Sequence, residues 1–119
     1  MTENTSESRI LIVSIVMKGS GDTVIEASMK AGAEGGTIVF GRGIGIHEKK
    51  KILGIPVEPE KEIVLTVTPP DKADAILNEV VKAARLGEPG RGIAFTIPVD
   101  RFVGAVHTSM NISPEEPSP

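Results

Sequence analysis

The chain has 119 residues, a formal net charge of −3 and 39% hydrophobic residues, with three Phe and no Trp, Tyr or Cys. That length fits one domain, too small to bury its apolar surface completely and helped by association. The acidic balance and the scarcity of aromatic rings exclude a nucleic-acid surface, and the absence of cysteine excludes disulfides, a thiolate nucleophile and a cysteine-held zinc.

Residues 1–8 are polar and acidic, unlike a signal peptide, and read as a disordered tail. No apolar run is long enough to insert into a bilayer, so the expected location is the cytoplasm. Residues 10–17 are rich in β-branched side chains interrupted only by Ser14, which predicts a strand buried on both faces at the centre of a sheet. Residues 18–22 form a Gly/Ser/Asp turn in which Ser20 or Asp22 caps a helix. That helix covers residues 23–30, with Val24, Ile25, Ser28 and Met29 towards the core, and ends on Gly32. A second strand covers 37–40.

Residues 41–60 have no clean period. Four glycines and two prolines surround the basic run 49–51, which predicts a long exposed loop of the kind that usually carries function. A third strand covers 62–68. Pro69, Pro70 and Asp71 start a helix whose apolar positions Ala73, Ile76, Leu77, Val80, Val81 and Ala84 follow helical spacing, with Gly87 as its cap. A tight Gly/Pro turn leads into a fourth strand over 93–97. Residues 99–106 read as a short extra strand or one helical turn, and residues 108–119, rich in Pro, Ser and Glu, as a second disordered tail.

The order is β-α-β, long loop, β-α-β. Residues 32–40 and 87–95 echo each other, each running from a helix end through a glycine turn into a strand. Two such units imply an α+β, ferredoxin-like βαββαβ domain over 9–107, with a four-stranded antiparallel sheet and both helices on one face. The other face is then apolar and bare. Self-association is the natural cover.

Catalytic motifs are missing. His47-Glu48 opens like a zinc-protease motif, but Lys51 stands where the second histidine belongs. His47 and His107 read as solvated. There is no phosphate-binding Gly-Lys-Ser/Thr loop and no nucleophile elbow, so no residue is assigned a catalytic or metal-binding role and the chain is read as a non-enzyme. The glycine turns are better candidates. Gly87-Glu88-Pro89-Gly90-Arg91-Gly92 puts backbone amides and a guanidinium before a strand, and Gly41-Arg42-Gly43-Ile44-Gly45 puts the same groups after one. Amides freed by glycine, with arginine, cradle phosphate. Each alone is an ordinary turn; the pair, in matching places of two half-repeats, carries more weight. The run 49–51 is as often a solvated tip as a dock for an acidic partner or a phosphate.

At this point the chain resembles the PII family of nitrogen-regulatory signal proteins, over roughly residues 9–106. The resemblance rests on residues 10–16, on Ala31-Gly32 before Thr37-Ile38-Val39, and on the loop from Gly41. It continues through 61–67 into Pro70-Asp71, through 81–87, and through Gly90 to Phe95 with Pro98-Val99. It implies a homotrimer with an adenine nucleotide (ATP, ADP or AMP) in the clefts between subunits. Its B-loop would be Gly87, Glu88, Gly90, Arg91 and Gly92. Thr37, Gly41, Arg42, Gly43, Gly45 and Lys61 would also lie near the nucleotide. Its T-loop, about 41–60, would contact a regulated transporter or enzyme through Ile46, His47, Glu48, Lys49, Lys50 and Lys51. Departures from the family pattern point to a divergent member. The usual Gly-Asp-Gly-Lys is Gly90-Arg91-Gly92-Ile93, and a pair of family arginines falls at Gly104 and Val106, which implies a different nucleotide mode. A chain without Tyr cannot be uridylylated on a loop tyrosine, and one without Gln lacks the residue that helps hold Mg-ATP, which counts against 2-oxoglutarate as a ligand. The alternatives are a trimeric, CutA-like metal-tolerance protein of the same fold without nucleotide, and a small enzyme of that fold.

Overall fold

The computed structural model describes residues 8–45, 50–52, 55–57 and 59–104. Both tails therefore lie largely outside the described residues. The elements are β1 (Arg9–Met17), α1 (Gly21–Lys30), β2 (Thr37–Arg42), β3 (Lys50–Ile52), β4 (Ile55–Val57), β5 (Glu60–Thr68), α2 (Pro70–Ala84) and β6 (Gly92–Val99). The main sheet has the order β2-β5-β1-β6, and every pairing in it is antiparallel. This is the expected ferredoxin-like arrangement: β1 is central, and the echoing segments 37–40 and 92–95 lie in the two edge strands.

Alternation along the strands divides the sheet into two faces. Ile12 and Val16 of β1 and Val64 of β5 meet Val24 of α1 and Ile76, Val80 and Ala84 of α2 in one core. The second helix buries the face its spacing predicts at Ala73, Ile76, Val80 and Ala84, but Val81 is exposed at its margin. Likewise Val24 and Ser28 of α1 are buried while Met29 is exposed. A helix on an open sheet buries a narrower stripe than its full apolar arc.

The reverse face carries Leu11, Val13 and Ile15 in register with Val67, Leu65 and Ile63 on one side and with Ile97, Phe95 and Ile93 on the other. Among these, Val67, Ile93, Phe95 and Ile97 are exposed. Among the described residues nothing covers this apolar face, as the sequence led us to expect.

Four local expectations are corrected. Ser20 takes the N-cap position of α1, as one of the two expected candidates, but its side chain makes no capping bond and Asp22 lies within the first turn; the Gly21 N–H donates instead to Glu62 Oε1 at 2.7 Å, from β5. A Cβ on Gly21 would lie 2.5 Å from that oxygen, so the close approach needs glycine there. Gly87 does not cap α2. Arg85 takes the left-handed conformation at φ 57°, the Arg85 N–H donates to Lys82 O at 3.2 Å, and the Leu86 N–H donates to Val81 O at 3.0 Å. That is a Schellman ending on a non-glycine residue, with Leu86 packed against the core. By contrast α1 ends on Gly32 at φ 117°, as expected. The segment 41–60 is not all loop: β2 runs on to Arg42, β5 starts at Glu60, and between them β3 and β4 pair antiparallel, Ile52 opposite Ile55. Finally, β6 ends at Val99 and residues 101–104 hold no strand or helix, although the Arg9 guanidinium sits 4.9 Å from the Phe102 ring centre; residues 105 and 106 lie outside the described residues.

Candidate functional site

The end of the sheet where β1 finishes and β5 begins gathers most of the candidate residues. Ladder pairing puts Met17 opposite Lys61, Gly41 opposite Lys61 and Val16 opposite Gly92. The Gly43 N–H then donates to Pro59 O at 3.1 Å, holding the chain leaving β2 beside the chain entering β5.

On the reverse face this convergence builds a cavity of ≈ 310 Å³ lined by Ile15, Arg42, Gly43, Ile44, Gly45, Lys61, Ile63, Gly92 and Ile93. The lysine is only 8% exposed. A Cβ on Gly43 would meet Lys61 Cγ at 3.9 Å, so the aliphatic stem runs along the cavity wall. Gly92, at φ 137°, lies so close to β1 that any Cβ there would collide with the Ile15 carbonyl oxygen. No L side chain fits that position.

A second cavity of ≈ 490 Å³ lies beside the first and shares Arg42 and Lys61 with it. Lys18, Phe40, Gly41 and Glu60 complete its lining. Lys18 Nζ is 2.7 Å from Glu60 Oε1. Their hydrogen bond, reinforced by the charge attraction, raises the Lys18 ammonium above its ordinary value and holds the Glu60 carboxyl below the usual carboxylate range, with Arg42 adding to the latter. The Phe40 ring is 73% exposed.

The predicted residues thus fall into four groups. Gly43, Gly45, Arg42, Lys61 and Gly92 share the first cavity, and Gly41 lines the second. Thr37 is opposite Leu65, at the far end of β2, and lines neither. Gly87, Glu88, Gly90 and Arg91 also line neither. Glu88 is engaged by Arg85 through two bonds of 3.0 and 3.1 Å. The Arg91 Nε donates to Ala84 O at 3.3 Å, where it satisfies a helix-end carbonyl, and its Nη1 reaches Met17 Sδ at 4.0 Å. Ile46, His47, Glu48 and Lys49 lie outside the described residues, and Lys50 and Lys51 are described only as backbone of β3. Sequence reasoning missed Ile15, Ile44, Ile63 and Ile93 in the cavity. Strand alternation is the only signal that would have pointed to three of them.

Among the described residues no three His, Asp or Glu side chains cluster to hold a metal, and no helix is long and apolar enough to cross a membrane.

The fold has known counterparts. The chain matches the family described as Nitrogen regulatory protein P-II over residues 9–107. It belongs to the P-II family. Among solved structures, PII of Arabidopsis thaliana bound to citrate superposes with a TM-score of 0.62 at 26% identity, covering 79% of each chain. A comparison with curated protein sequences finds no match. P-II proteins are trimeric, non-enzymatic regulators that bind small-molecule effectors and act on partner proteins, so this chain is a P-II-like regulatory protein.

Proposed function

We propose that this P-II protein is a homotrimeric sensor that takes an adenine nucleotide at the subunit junctions and reports it to a transporter or metabolic enzyme through residues 41–60. The observation that carries this reading is the reverse-face cavity, where Gly43 and Gly45 at the root of that segment meet Lys61 and Gly92. The cationic side chains Arg42 and Lys61 in its lining favour an anion, and the cavity opens onto the apolar face that a second copy would cover. A ligand there touches the root of the 41–60 segment directly. It changes the segment's conformation to the extent that it binds one arrangement better than another.

The test combines light scattering with calorimetry on the full chain. A trimer that binds ATP, ADP or AMP, with affinity falling about tenfold in Lys61→Gln, supports the reading, a drop of that size being ordinary for one charged hydrogen bond. A monomer, or a trimer indifferent to every nucleotide, overturns it. A thermal shift produced by divalent metals alone would favour the metal-tolerance alternative, for which the described residues offer no ligand cluster.

A further inference from the structure

We infer that the outer edge of β3 is a docking edge for an extended, acidic segment of a partner protein, which adds to the β3–β4 ribbon as a third strand. This rests on the reading of residues 41–60 as the segment that contacts a partner, and it specifies the chemistry of what that segment holds.

β3 (Lys50–Ile52) and β4 (Ile55–Val57) form a two-stranded sheet of their own, and among the described residues no third strand joins it. A lone two-stranded ribbon is marginally stable at best in water, and three or more strands stand on their own. A strand added from outside therefore completes the ribbon as well as binding to it.

The register decides which edge is open. Lys50 is opposite Val57, Lys51 opposite Pro56 and Ile52 opposite Ile55. Along an antiparallel pair, residues that exchange hydrogen bonds alternate with residues that do not. Pro56 has no N–H to give, so Lys51 and Pro56 are the non-bonded pair. The ladder bonds then fall at Lys50–Val57 and at Ile52–Ile55. The backbone groups of a non-bonded pair point away from the ribbon. At β4 that leaves only the Pro56 carbonyl, an edge that proline has stripped of its donor. At β3 it leaves both the N–H and the C=O of Lys51, the couple that an incoming strand needs.

Charge decides what that edge accepts. Two of the three residues of β3 are lysines, and β4 has no charged residue. Pairing β3 with the β3 of a second copy would set lysine against lysine, and like charges directly opposite destabilise a strand pair. An acidic strand sets carboxylates opposite the same lysines and stabilises it. The lysines that guard the edge against its own kind thus admit one class of partner.

The test is amide NMR on the full chain without nucleotide, titrated with three short capped peptides. They are Thr-Val-Glu-Glu-Val-Thr, the same sequence with Lys in place of Glu, and the Glu peptide N-methylated at both Glu residues. In the free protein the Lys51 amide is expected to exchange with solvent faster than those of Lys50, Ile52, Ile55 and Val57. The Glu peptide is expected to protect the Lys51 amide and to bind at least about fivefold tighter than the Lys peptide, which two cross-strand charge pairs of ordinary strength supply. The N-methylated peptide is expected not to bind. Lys51→Glu is expected to reverse the order of the Glu and Lys peptides, a result that a disrupted ribbon would not produce. Equal binding of the N-methylated peptide, equal binding of the two charged peptides, or no binding of any peptide overturns the inference. A Lys51 amide already protected in the free protein, and more so as concentration rises, assigns the edge to a second copy and overturns it too. None of these results touches nucleotide binding, which the calorimetry above tests separately.

Discussion

Ile12, Val16 and Val64 point under the helices and are fully buried, while Val67, Ile93, Phe95 and Ile97 lie on the reverse of the same sheet and stay exposed. Both faces are built from the same β-branched and aliphatic residues. What separates them is that two helices can cover only one side of a four-stranded sheet. The helix side finds its cover inside the chain. The reverse side carries a comparable apolar surface and, at its end, the cavity, so in the proposed trimer its completion and its ligand would be coupled. An apolar sheet face left open by one chain is a surface for another.

The comparison breaks most visibly if a charge is placed on the open face. Phe95→Glu is expected to turn a trimer into a monomer by light scattering, because an unpaired carboxylate buried in each assembled copy costs about 3–5 kcal/mol; a trimer retained at micromolar concentration would show that this face is not the junction. On the helix side, Ile76→Ala removes a fully buried side chain and is expected to cost about 2–5 kcal/mol in denaturant unfolding, with the folded protein's assembly unchanged. A loss well under that range would mean that the core closes over the gap. Glu62→Ala is expected to cost about 1.5–3 kcal/mol, since it removes a buried, charged acceptor from the Gly21 N–H. Glu62→Gln, which keeps an acceptor oxygen, should recover part of the loss.

The smallest effect concerns the exposed Lys18–Glu60 clasp at the rim of the second cavity. Glu60 has a folded pKa below its ordinary value, so the pair is intact at neutral pH and is lost as pH falls through that lowered value. Lys18 has a raised pKa, so on the alkaline side the pair is lost only as pH rises through the raised lysine value. Both side chains are exposed, and salt should weaken the clasp. A carboxyl chemical-shift titration that places Glu60 at the ordinary glutamate value would show that the clasp does not form in solution.

Much of the fold was legible along the chain. The β-branched run in residues 10–17 identified the central strand, and the helical spacing from Ala73 to Ala84 identified the second helix and most of its buried stripe, because burial repeats with the local geometry. The parallel between residues 32–40 and 87–95 was half right. Both segments lead into edge strands, but Gly32 ends its helix in the left-handed conformation whereas on the other helix Arg85 takes that role two residues before Gly87. Likewise Phe40 is paired with Glu62, on the helix side, while Phe95 is paired with Val13, on the open side. Glycine spacing marks where a turn occurs and is silent on which residue adopts positive φ. The candidate site was legible as a list of residue types. Arg42, Gly43, Gly45, Lys61 and Gly92 do converge, yet Glu88 pairs with Arg85 and Arg91 turns to the Ala84 carbonyl at the end of α2, a choice made by short-range ion pairing and by a helix-end carbonyl that needs a donor.

By itself, the sequence determined the four strands of the main sheet and the two helices, that one sheet face would lack a helix, and that glycine-rich turns flank those strands, since each follows from periodicity or from the conformational range of a single residue. Only the tertiary structure decided that a β5 carboxylate would cap α1 from 41 residues away. Only it decided that the root of the 41–60 segment would meet Gly92 in a cavity walled by four isoleucines. Such contacts join residues distant in sequence through the register of β5 against β2 and β1, and register is a property of the assembled sheet that no local window contains.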